Sequence, residues 1–273
     1  MSEALPALFL GLLQGLTEFL PVSSSGHLAL AKSLFSIEDA SLSYDILLHF
    51  ATMLATLFFF GRDIVRLFLE WLAGFLSRKE RGEGWNVGWA VIAGTLLTGA
   101  VALPLKPLVV RMGSMPWAVG AGLLLTSLLL WMATSDRGDE RDPRPITPVK
   151  GLFIGVVQGV AVLPGVSRSG STIFAGLRAG LGAEQAFRFS FLLSIPAVLG
   201  ATLLEARGLL SVAAPGASLP PGWQAGMLVS FAAGYCSLVL LRRVAASGRW
   251  RPFAVYCALA GFLSIFLSIA GSA

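Results

Sequence analysis

Long apolar runs separated by short polar connections dominate the chain. Six of these runs have about the twenty residues that an α-helix needs to cross the hydrocarbon core of a bilayer. They cover approximately residues 43–61, 85–103, 116–134, 184–204, 222–241 and 252–270. The pattern therefore predicts an all-α polytopic membrane protein in a single integral-membrane domain.

Two shorter apolar runs are each broken in the middle. Residues 5–20 are followed by Pro21 and a more polar helix over 22–35, and residues 151–163 by Pro164 and a helix to about 181. Each run is marginal for crossing a bilayer alone. Because irregular backbone at membrane depth needs protein or water around it, we predict two re-entrant hairpins whose turns face a cavity.

The second hairpin repeats the first. Glycine, glutamine and serine recur in the same order, at Gly11/Gly155, Gln14/Gln158, Gly15/Gly159, Ser23/Ser167, Ser25/Ser169 and Gly26/Gly170. We predict repeat 1 over 1–134 and repeat 2 over 149–273, joined by a polar loop over 135–148. Each repeat would hold one hairpin and three transmembrane helices. Because three is odd, the repeats are expected to be inverted, with the site at their interface.

The repeated residues also suggest how the hairpins pack. Glycines at four-residue spacing predict that the two hairpins approach each other closely. Gln14 and Gln158 are interpreted either as structural hydrogen-bonding residues across the repeat interface or, for Gln14, as part of the site.

Composition agrees with a membrane protein and adds an orientation. Only 13% of residues are charged, against about 25% in soluble domains. The net charge of +5 comes from basic residues in short connections near 62–81, 137–150 and 242–251, which the positive-inside rule places in the cytoplasm. This distribution argues against nucleic-acid binding. The first hairpin is then expected to open outward and the second inward, with their tips meeting.

The tip of the second hairpin, residues 164–172, has the properties of a phosphate site. A break before a helix start offers free N–H groups and the positive end of the helix dipole. Arg168 adds a planar fork that matches phosphate oxygens, and nearby hydroxyls add donors: Ser167, Ser169, Ser171 and Thr172. The alternative is that the serines cap and pack a helix while Arg168 snorkels, but its position at a break deep in a hairpin favours function.

The tip of the first hairpin supplies reactive groups. Gln14 and Glu18 are one helical turn apart, and Ser24 and His27 are three residues apart, so each pair can share a face. Ser24 or His27 could attack phosphorus while the other moves protons, and Glu18 could orient an imidazole or bind a metal. The alternative for Glu18 is a helix-end carboxylate paired with an arginine. His49, within an apolar span, is interpreted as a structural histidine.

Two motifs carry a family resemblance. One is Gln14-Gly-Leu-Thr-Glu18, which continues as Phe-Leu-Pro-Val-Ser-Ser-Ser-Gly-His27; the other is Pro-Gly-x-Ser-Arg-Ser-x-x-Thr at 164–172. With them the whole chain resembles the bacterial undecaprenyl-diphosphate phosphatases of the bacitracin-resistance type. The resemblance implies removal of the terminal phosphate of the polyprenyl diphosphate carrier at the outer face of the plasma (inner) membrane. It also implies carrier recycling for peptidoglycan and other envelope polymers, bacitracin resistance, and a divalent cation, magnesium or calcium.

The resemblance also assigns residues. By position, Glu18, Ser24 and His27 match the family's catalytic residues in the first motif, and Ser167, Arg168 and Thr172 match those in the second. Of these we take Glu18, Ser24, His27 and Arg168 as catalytic, with Ser24 our preferred nucleophile and Glu18 the metal ligand. Substrate binding is assigned to Gln14, Ser23, Ser25, Ser167, Ser169, Gly170 and Thr172. Many members have Glu where this chain has Gln14, so Glu18 must carry the charged role alone. Membrane lipids are the other expected partners, and a homodimer is left open.

Two other functions are compatible with parts of the pattern. Inverted repeats with broken helices are common in transporters, so a polyprenyl-phosphate flippase, alone or combined with the phosphatase, is the main alternative. A phosphatidate-phosphatase-type enzyme would need a further histidine after its Ser-Arg pair. The two histidines of the chain are His27 and His49, and both precede Arg168.

Overall fold

A computed structural model describes residues 4–35, 42–133, 144–211 and 219–270 of the chain. These residues form ten α-helices and one 3-10 helix, Arg78–Glu80, and no β-strand. The α-helices are α1 Leu5–Phe19, α2 Ser24–Phe35, α3 Leu42–Leu76, α4 Glu83–Gly113, α5 Pro116–Ala133, α6 Pro148–Val160, α7 Arg168–Arg178, α8 Ala183–Ser211, α9 Trp223–Ser247 and α10 Arg251–Ala270. The prediction of an all-α fold is confirmed.

Six helices are long and apolar enough to cross a membrane, namely α3, α4, α5, α8, α9 and α10. They correspond to the six spans predicted from sequence, so a multi-pass membrane protein is confirmed. The predicted loop over 135–148 lies mostly outside the described residues. The boundaries of the two repeats stay a prediction.

Four predicted helix ends were wrong, because α3, α4, α8 and α9 continue further, and the first two differ most. α3 runs past Gly61 to Leu76, and α4 runs through Pro104 and Pro107 to Gly113. In α3, ion pairs at helical spacing support the extension, since Arg66 contacts Asp63 and Glu70 one turn away on either side. In α4, each proline removes a backbone hydrogen bond. Helices in membranes tolerate this loss where other groups satisfy the freed carbonyls.

Both hairpins break where the prolines predict. α1 ends before Pro21 and α2 begins at Ser24, while α6 ends before Pro164 and α7 begins at Arg168. The turns use left-handed backbone, with φ of 68° at Ser23 and 87° at Gly165. At Gly165 a side chain is excluded, because a Cβ there would lie 2.1 Å from the carbonyl oxygen of Val119.

Each hairpin packs along a span from the other half of the chain. α1 lies against α9 and α6 lies against α4, while α5 and α10 pair with each other. A twofold relation between the halves predicts this reciprocal exchange. The hairpins thereby fix their tips against helices that are distant in sequence.

Glycine makes these contacts possible, although not in the predicted way. A Cβ on Gly11 would lie 2.2 Å from the oxygen of Gly226, and one on Gly155 would lie 2.3 Å from the oxygen of Gly94. The expectation that the two glycine pairs bring the hairpins onto each other was therefore wrong. Each pair instead faces a span, because backbone-to-backbone approach needs a small residue on both helices.

Ion pairs join the basic connections at one end of the molecule. Arg66 contacts Glu83 at 3.2 Å, Arg188 contacts the same carboxylate at 2.7 Å, and Arg242 contacts Glu184 at 2.9 Å. They link the C-terminal ends of α3 and α9 to the N-terminal ends of α4 and α8. We call this the basic end.

The glycine contacts are open to a direct test with Gly155→Ala. We expect this variant to unfold at a lower temperature than the wild type in detergent, with a loss of about 1–3 kcal/mol, because the added methyl forces α6 away from α4. The control is Gly61→Ala, where a Cβ would meet nothing within 4 Å. It should unfold at or above the wild-type temperature, since alanine is the better helix former. Equal melting of Gly155→Ala and the wild type would contradict the packing.

Candidate active site at the two hairpin tips

The two hairpin tips contact each other. A Cβ on Gly26 would lie 3.1 Å from Gly165 Cα, and one on Gly170 would lie 3.2 Å from Pro21 Cβ. An ion pair joins the tips more directly, because Arg168 Nη2 at the start of α7 donates to Glu18 Oε1 at the end of α1. The side chains of Glu18 and Arg168 are only 6% and 20% exposed, so this charged contact is largely shielded from solvent.

The other carboxylate oxygen of Glu18 collects further donors. Ser24 Oγ donates to Glu18 Oε2 over 2.6 Å, and Gln14 Nε2 donates to it over 3.0 Å. His49 Nε2 lies 3.8 Å from the same oxygen. A buried carboxylate is stable only with such partners, and here they come from α1, α2, α3 and α7.

Arg168 retains donor capacity. Its Nη1 atom is buried and has no hydrogen-bond partner among the described residues. A buried guanidinium nitrogen without an acceptor is costly. It is therefore the strongest indication in the site of an anion that would bind beside Glu18.

Three further polar residues of the second tip, Ser167, Ser169 and Thr172, hold its shape. Ser167 caps α7, because its Oγ accepts from the Gly170 backbone N–H at 3.2 Å, and it lies 3.3 Å from Ser169 Oγ. Thr172 Oγ1 donates to Arg168 O over 2.8 Å and lies 2.5 Å from Ser190 Oγ. Ser169 and Thr172 are buried in these contacts, and Gly170 lies against Pro21. Substrate binding by these three residues stays a prediction.

Ser24 and His27 both lie on α2 but hydrogen-bond to different groups, and Ser24 donates to Glu18. His27 Nδ1 is 2.8 Å from Ser23 O, and His27 Nε2 is 2.6 Å from the hydroxyl of Tyr256 on α10. A carbonyl can only accept, so Nδ1 carries a proton and neutral His27 accepts from Tyr256 at Nε2. Sequence alone does not reveal Tyr256 as the partner, because 229 residues separate the two.

A cavity of about 370 Å³ extends from the tips. One part of its wall is polar and belongs to the tips and α3: Glu18, Ser23, Ser24, Ser25, His49, Ser167 and Arg168. Another part is mostly small and apolar and belongs to α4 and α8: Gly99, Ala102, Leu103, Ala197, Val198, Gly200, Ala201 and Leu204. The cavity can therefore take a molecule with a polar head and an apolar tail.

Two residues interpreted from sequence have different roles in the structure. His49 does bond within its helix, through Nδ1 to Asp45 O at 2.9 Å, but it also faces Glu18 and lines the cavity. Of the two glutamines interpreted as bonding across the repeats, Gln158 does so and Gln14 does not. Gln14 bonds Glu18, whereas Gln158 donates to Thr98 Oγ1 over 3.2 Å. The sequence did contain a signal that His49 belongs to the site, because it is a polar residue inside an apolar run.

The side chains near Glu18 limit the kind of metal ion that the site could bind. Within the described ranges no three residues of the types His, Cys, Asp and Glu cluster in a way that could hold a metal ion. Both oxygens of Glu18 already accept from protein donors, while Gln14 Oε1 is buried without a partner. These residues do not fit a cation held by protein alone. They fit one that takes most of its oxygen ligands from a bound phosphate, as Mg²⁺ commonly does.

Comparison with known proteins gives a consistent picture. The sequence profile of the family described as "Bacitracin resistance protein BacA" matches residues 7–263. A protein of Desulfosudis oleivorans is 40% identical over 98% of this chain and 99% of its own length. One of Methanosphaera stadtmanae is 36% identical over the same shares, and one of Corynebacterium glutamicum is 38% identical over 96% and 89%. All three are named undecaprenyl-diphosphatase. With the profile covering nearly the whole chain, this protein belongs to the bacitracin resistance protein BacA family.

Proposed function

We propose that this protein hydrolyses undecaprenyl diphosphate to undecaprenyl phosphate and inorganic phosphate. One observation carries the proposal: Arg168, with a buried unpartnered Nη1, lies beside a hydrogen-bonded Ser24–Glu18 pair in a cavity that also has an apolar wall. The names of the relatives support the same substrate. Such an activity recycles the lipid carrier for peptidoglycan synthesis, and it opposes bacitracin by removing the diphosphate.

Arg168 is placed to bind the terminal phosphate. Its guanidinium can offer Nη1 to one phosphate oxygen and release Nη2 from Glu18 to another, which gives the bidentate contact that arginine favours. The N-terminus of α7 adds the positive end of a helix dipole at the same point. The phosphate would then lie beside Ser24, since Ser24 and Arg168 contact the two oxygens of one carboxylate.

Proton transfer is assigned to Glu18 in this proposal. Ser24 Oγ attacks the terminal phosphorus and passes its proton to Glu18 Oε2, 2.6 Å away. The new bond from Oγ to phosphorus replaces the bond to the bridging oxygen, which leaves with its electron pair as undecaprenyl phosphate. Water then attacks the phosphoserine, Glu18 returns its proton to the departing Ser24 Oγ, and both water protons leave with the phosphate.

His27 has a separate place in this scheme. Its ring stacks on Tyr256 with centroids 5.6 Å apart, and both nitrogens are engaged. To act as the acid or base, as expected from sequence, the ring must leave Tyr256. Its catalytic role therefore stays a prediction, and so does the alternative in which His27 attacks phosphorus.

A divalent cation, Mg²⁺ or Ca²⁺, is part of the proposal. When bound with the substrate it would neutralise the phosphate charge and favour attack by Ser24. Glu18 and the free Oε1 of Gln14 are the residues that would hold it, with phosphate oxygens as the other ligands.

The position of the cavity along the helices also bears on the side of the membrane where the reaction would take place. Its walls on α4 and α8 run from Thr95 to Leu103 and from Pro196 to Leu204, so they begin near the middle of each helix and extend away from the basic end. If the basic end is cytoplasmic, the cavity lies toward the outer side of the plasma membrane. There the enzyme would meet the lipid diphosphate that polymer synthesis releases.

The flippase alternative is separated from hydrolysis by one assay. Purified protein in detergent has no sidedness and no gradient, so phosphate release there with labelled polyprenyl diphosphate can only be hydrolysis. No release under any cation condition would refute the phosphatase proposal.

Ser24→Ala tests the nucleophile. We expect kcat to fall about a thousandfold or more, because the group that forms the covalent bond is lost. Acid-quenched wild-type protein should carry labelled phosphoserine at position 24, and the variant should carry none. Ser247→Ala, whose hydroxyl bonds a carbonyl of its own helix at the exposed end of α9, is the control and should turn over normally. A Ser24→Ala variant with a tenth of wild-type kcat would mean that water attacks directly.

Gly200→Phe tests the apolar wall as the binding site of the prenyl tail. A Cβ on Gly200 meets nothing within 4 Å, so the larger side chain would fill the cavity rather than strain the helix. We expect KM for the long-chain substrate to rise about tenfold or more, since each excluded CH₂ group is worth about 0.8 kcal/mol. KM for a short-chain prenyl diphosphate should not change. Gly61→Phe, on open space along α3, should change neither.

Gln14→Glu tests the cation. A second buried carboxylate one turn from Glu18 should repel it and lower the unfolding temperature in EDTA. Added Mg²⁺ or Ca²⁺ should restore that temperature, giving a larger cation-dependent shift than in the wild type. Gln224→Glu, an exposed change in the first turn of α9, should show no such shift. Equal shifts in Gln14→Glu and wild type would argue against a cation at Glu18.

A further inference from the structure

Thr126 lies on α5, behind the turn of the second hairpin. Its side chain is only 1% exposed, and it stands at the back of this turn rather than in the wall of the cavity. No step of the proposed hydrolysis uses it. Its hydroxyl nevertheless makes two hydrogen bonds to the turn that leads into Arg168, so its role in the site has to be sought there.

The Thr126 hydroxyl bridges the two ends of this turn. Its Oγ1 donates to Gly165 O over 2.8 Å and accepts from the Ser167 backbone N–H over 2.9 Å. A hydroxyl has one proton and two lone pairs, so both bonds can form at once. The carbonyl of Gly122, one turn back in α5, lies farther from Oγ1, at 3.1 Å. The hydroxyl therefore satisfies one acceptor and one donor that lie between α6 and α7.

The turn is pressed against the same face of α5. A Cβ on Gly122 would lie 2.3 Å from Pro164 O, and Gly165 and Ser167 are both buried. A buried backbone group without a partner costs about as much as a lost hydrogen bond. Removal of the hydroxyl would leave two such groups unpaired, so the turn would have to shift to find new partners.

A shift of this turn would reach the phosphate-binding arginine directly. Ser167, whose N–H Thr126 accepts, is the N-cap of α7, and Arg168 is the first residue of that helix. The guanidinium donates to Glu18 through Nη2 and keeps Nη1 for the phosphate. A misplacement of about 1 Å at such a group can cost about a hundredfold in rate. The alignment of Arg168 therefore depends on where its N-cap is held.

The first hairpin has a corresponding contact with a weaker donor. In the register that pairs Gly26 with Gly170, Pro21 corresponds to Gly165. The Sγ of Cys257 on α10 donates to Pro21 O over 3.5 Å, much as Thr126 donates to Gly165 O. Because α5 and α10 pack together, one helix pair holds both turns. A thiol is a weak donor, so the hydroxyl marks the second turn as the one held more firmly.

We propose that Thr126 is a positioning residue for Arg168. Its hydroxyl fixes the turn over 165–167 and thereby directs the guanidinium toward the terminal phosphate. Thr126 itself makes no contact with the substrate or with the reacting atoms. This inference rests on the proposed phosphatase function, in which Arg168 binds that phosphate.

Four variants separate positioning from simple stability. Thr126→Val keeps the shape of the side chain and removes the hydroxyl, whereas Thr126→Ser keeps the hydroxyl. Thr126→Cys supplies the weak donor that the chain itself uses beside Pro21, and it keeps the test decisive if the valine variant does not fold. The matched control is Ser127→Ala, because Ser127 Oγ donates over 2.7 Å to Ala254 O on α10 and so holds the same helix without holding the turn.

The first measurement is binding of inorganic phosphate to the full-length variants in detergent, followed by thermal stabilisation at a fixed Mg²⁺ concentration. We expect Thr126→Val to raise the phosphate Kd about tenfold, the factor lost with one hydrogen bond to a charged group. Thr126→Cys should raise it about threefold. Thr126→Ser and Ser127→Ala should stay within about twofold of the wild type, although Ser127→Ala should unfold at a lower temperature.

The second measurement is phosphate release from polyprenyl diphosphate. We expect kcat/KM to fall about tenfold or more in Thr126→Val and to recover in Thr126→Ser. Wild-type values in the valine and cysteine variants would overturn the proposal, and so would a Ser127→Ala variant as impaired as Thr126→Val. A wild type that releases no phosphate would refute the phosphatase function, while the phosphate titration would still decide the role of Thr126.

Discussion

The ion pair between Glu18 and Arg168 is the constraint on which the site depends. Charges removed from water are tolerated only when well paired, and breaking a buried pair costs about 3–5 kcal/mol. Here Glu18 and Arg168 belong to two hairpins that lie 150 residues apart in the chain. The fold must therefore hold both tips at one place, and it does so by packing each hairpin along a span of the opposite half.

The two hairpins share a scaffold and differ in what they present. In both, a serine before the second helix caps it, since Ser23 Oγ accepts from Gly26 N at 3.4 Å and Ser167 Oγ accepts from Gly170 N at 3.2 Å. In the first hairpin Glu18 brings a carboxylate, whereas in the second Arg168 brings a cation. The two tips thus carry opposite charges at the point where they meet.

Sequence predicted the parts of this protein that depend on local pattern. Apolar runs gave the spans, prolines marked both breaks, and the motifs pointed to Glu18, Ser24 and Arg168. Contacts between distant helices were not predictable. Tyr256 was therefore missed as the partner of His27, and His49 on α3 was missed as a neighbour of Glu18. The lengths of α3 and α4 were also underestimated, because charged residues and prolines within a helix read as breaks unless their tertiary partners are known.

The pairing of α1 with α9 constrains the order in which the enzyme can assemble. α1 precedes the other described helices in the chain, yet its main packing partner begins only at Trp223. Until α9 is inserted, the glycine face of α1 has no native surface to contact, and Glu18 waits for a fixed position. The packing that positions the first hairpin is thus completed only after α9 has been made, so a nascent chain that stops before Trp223 lacks it.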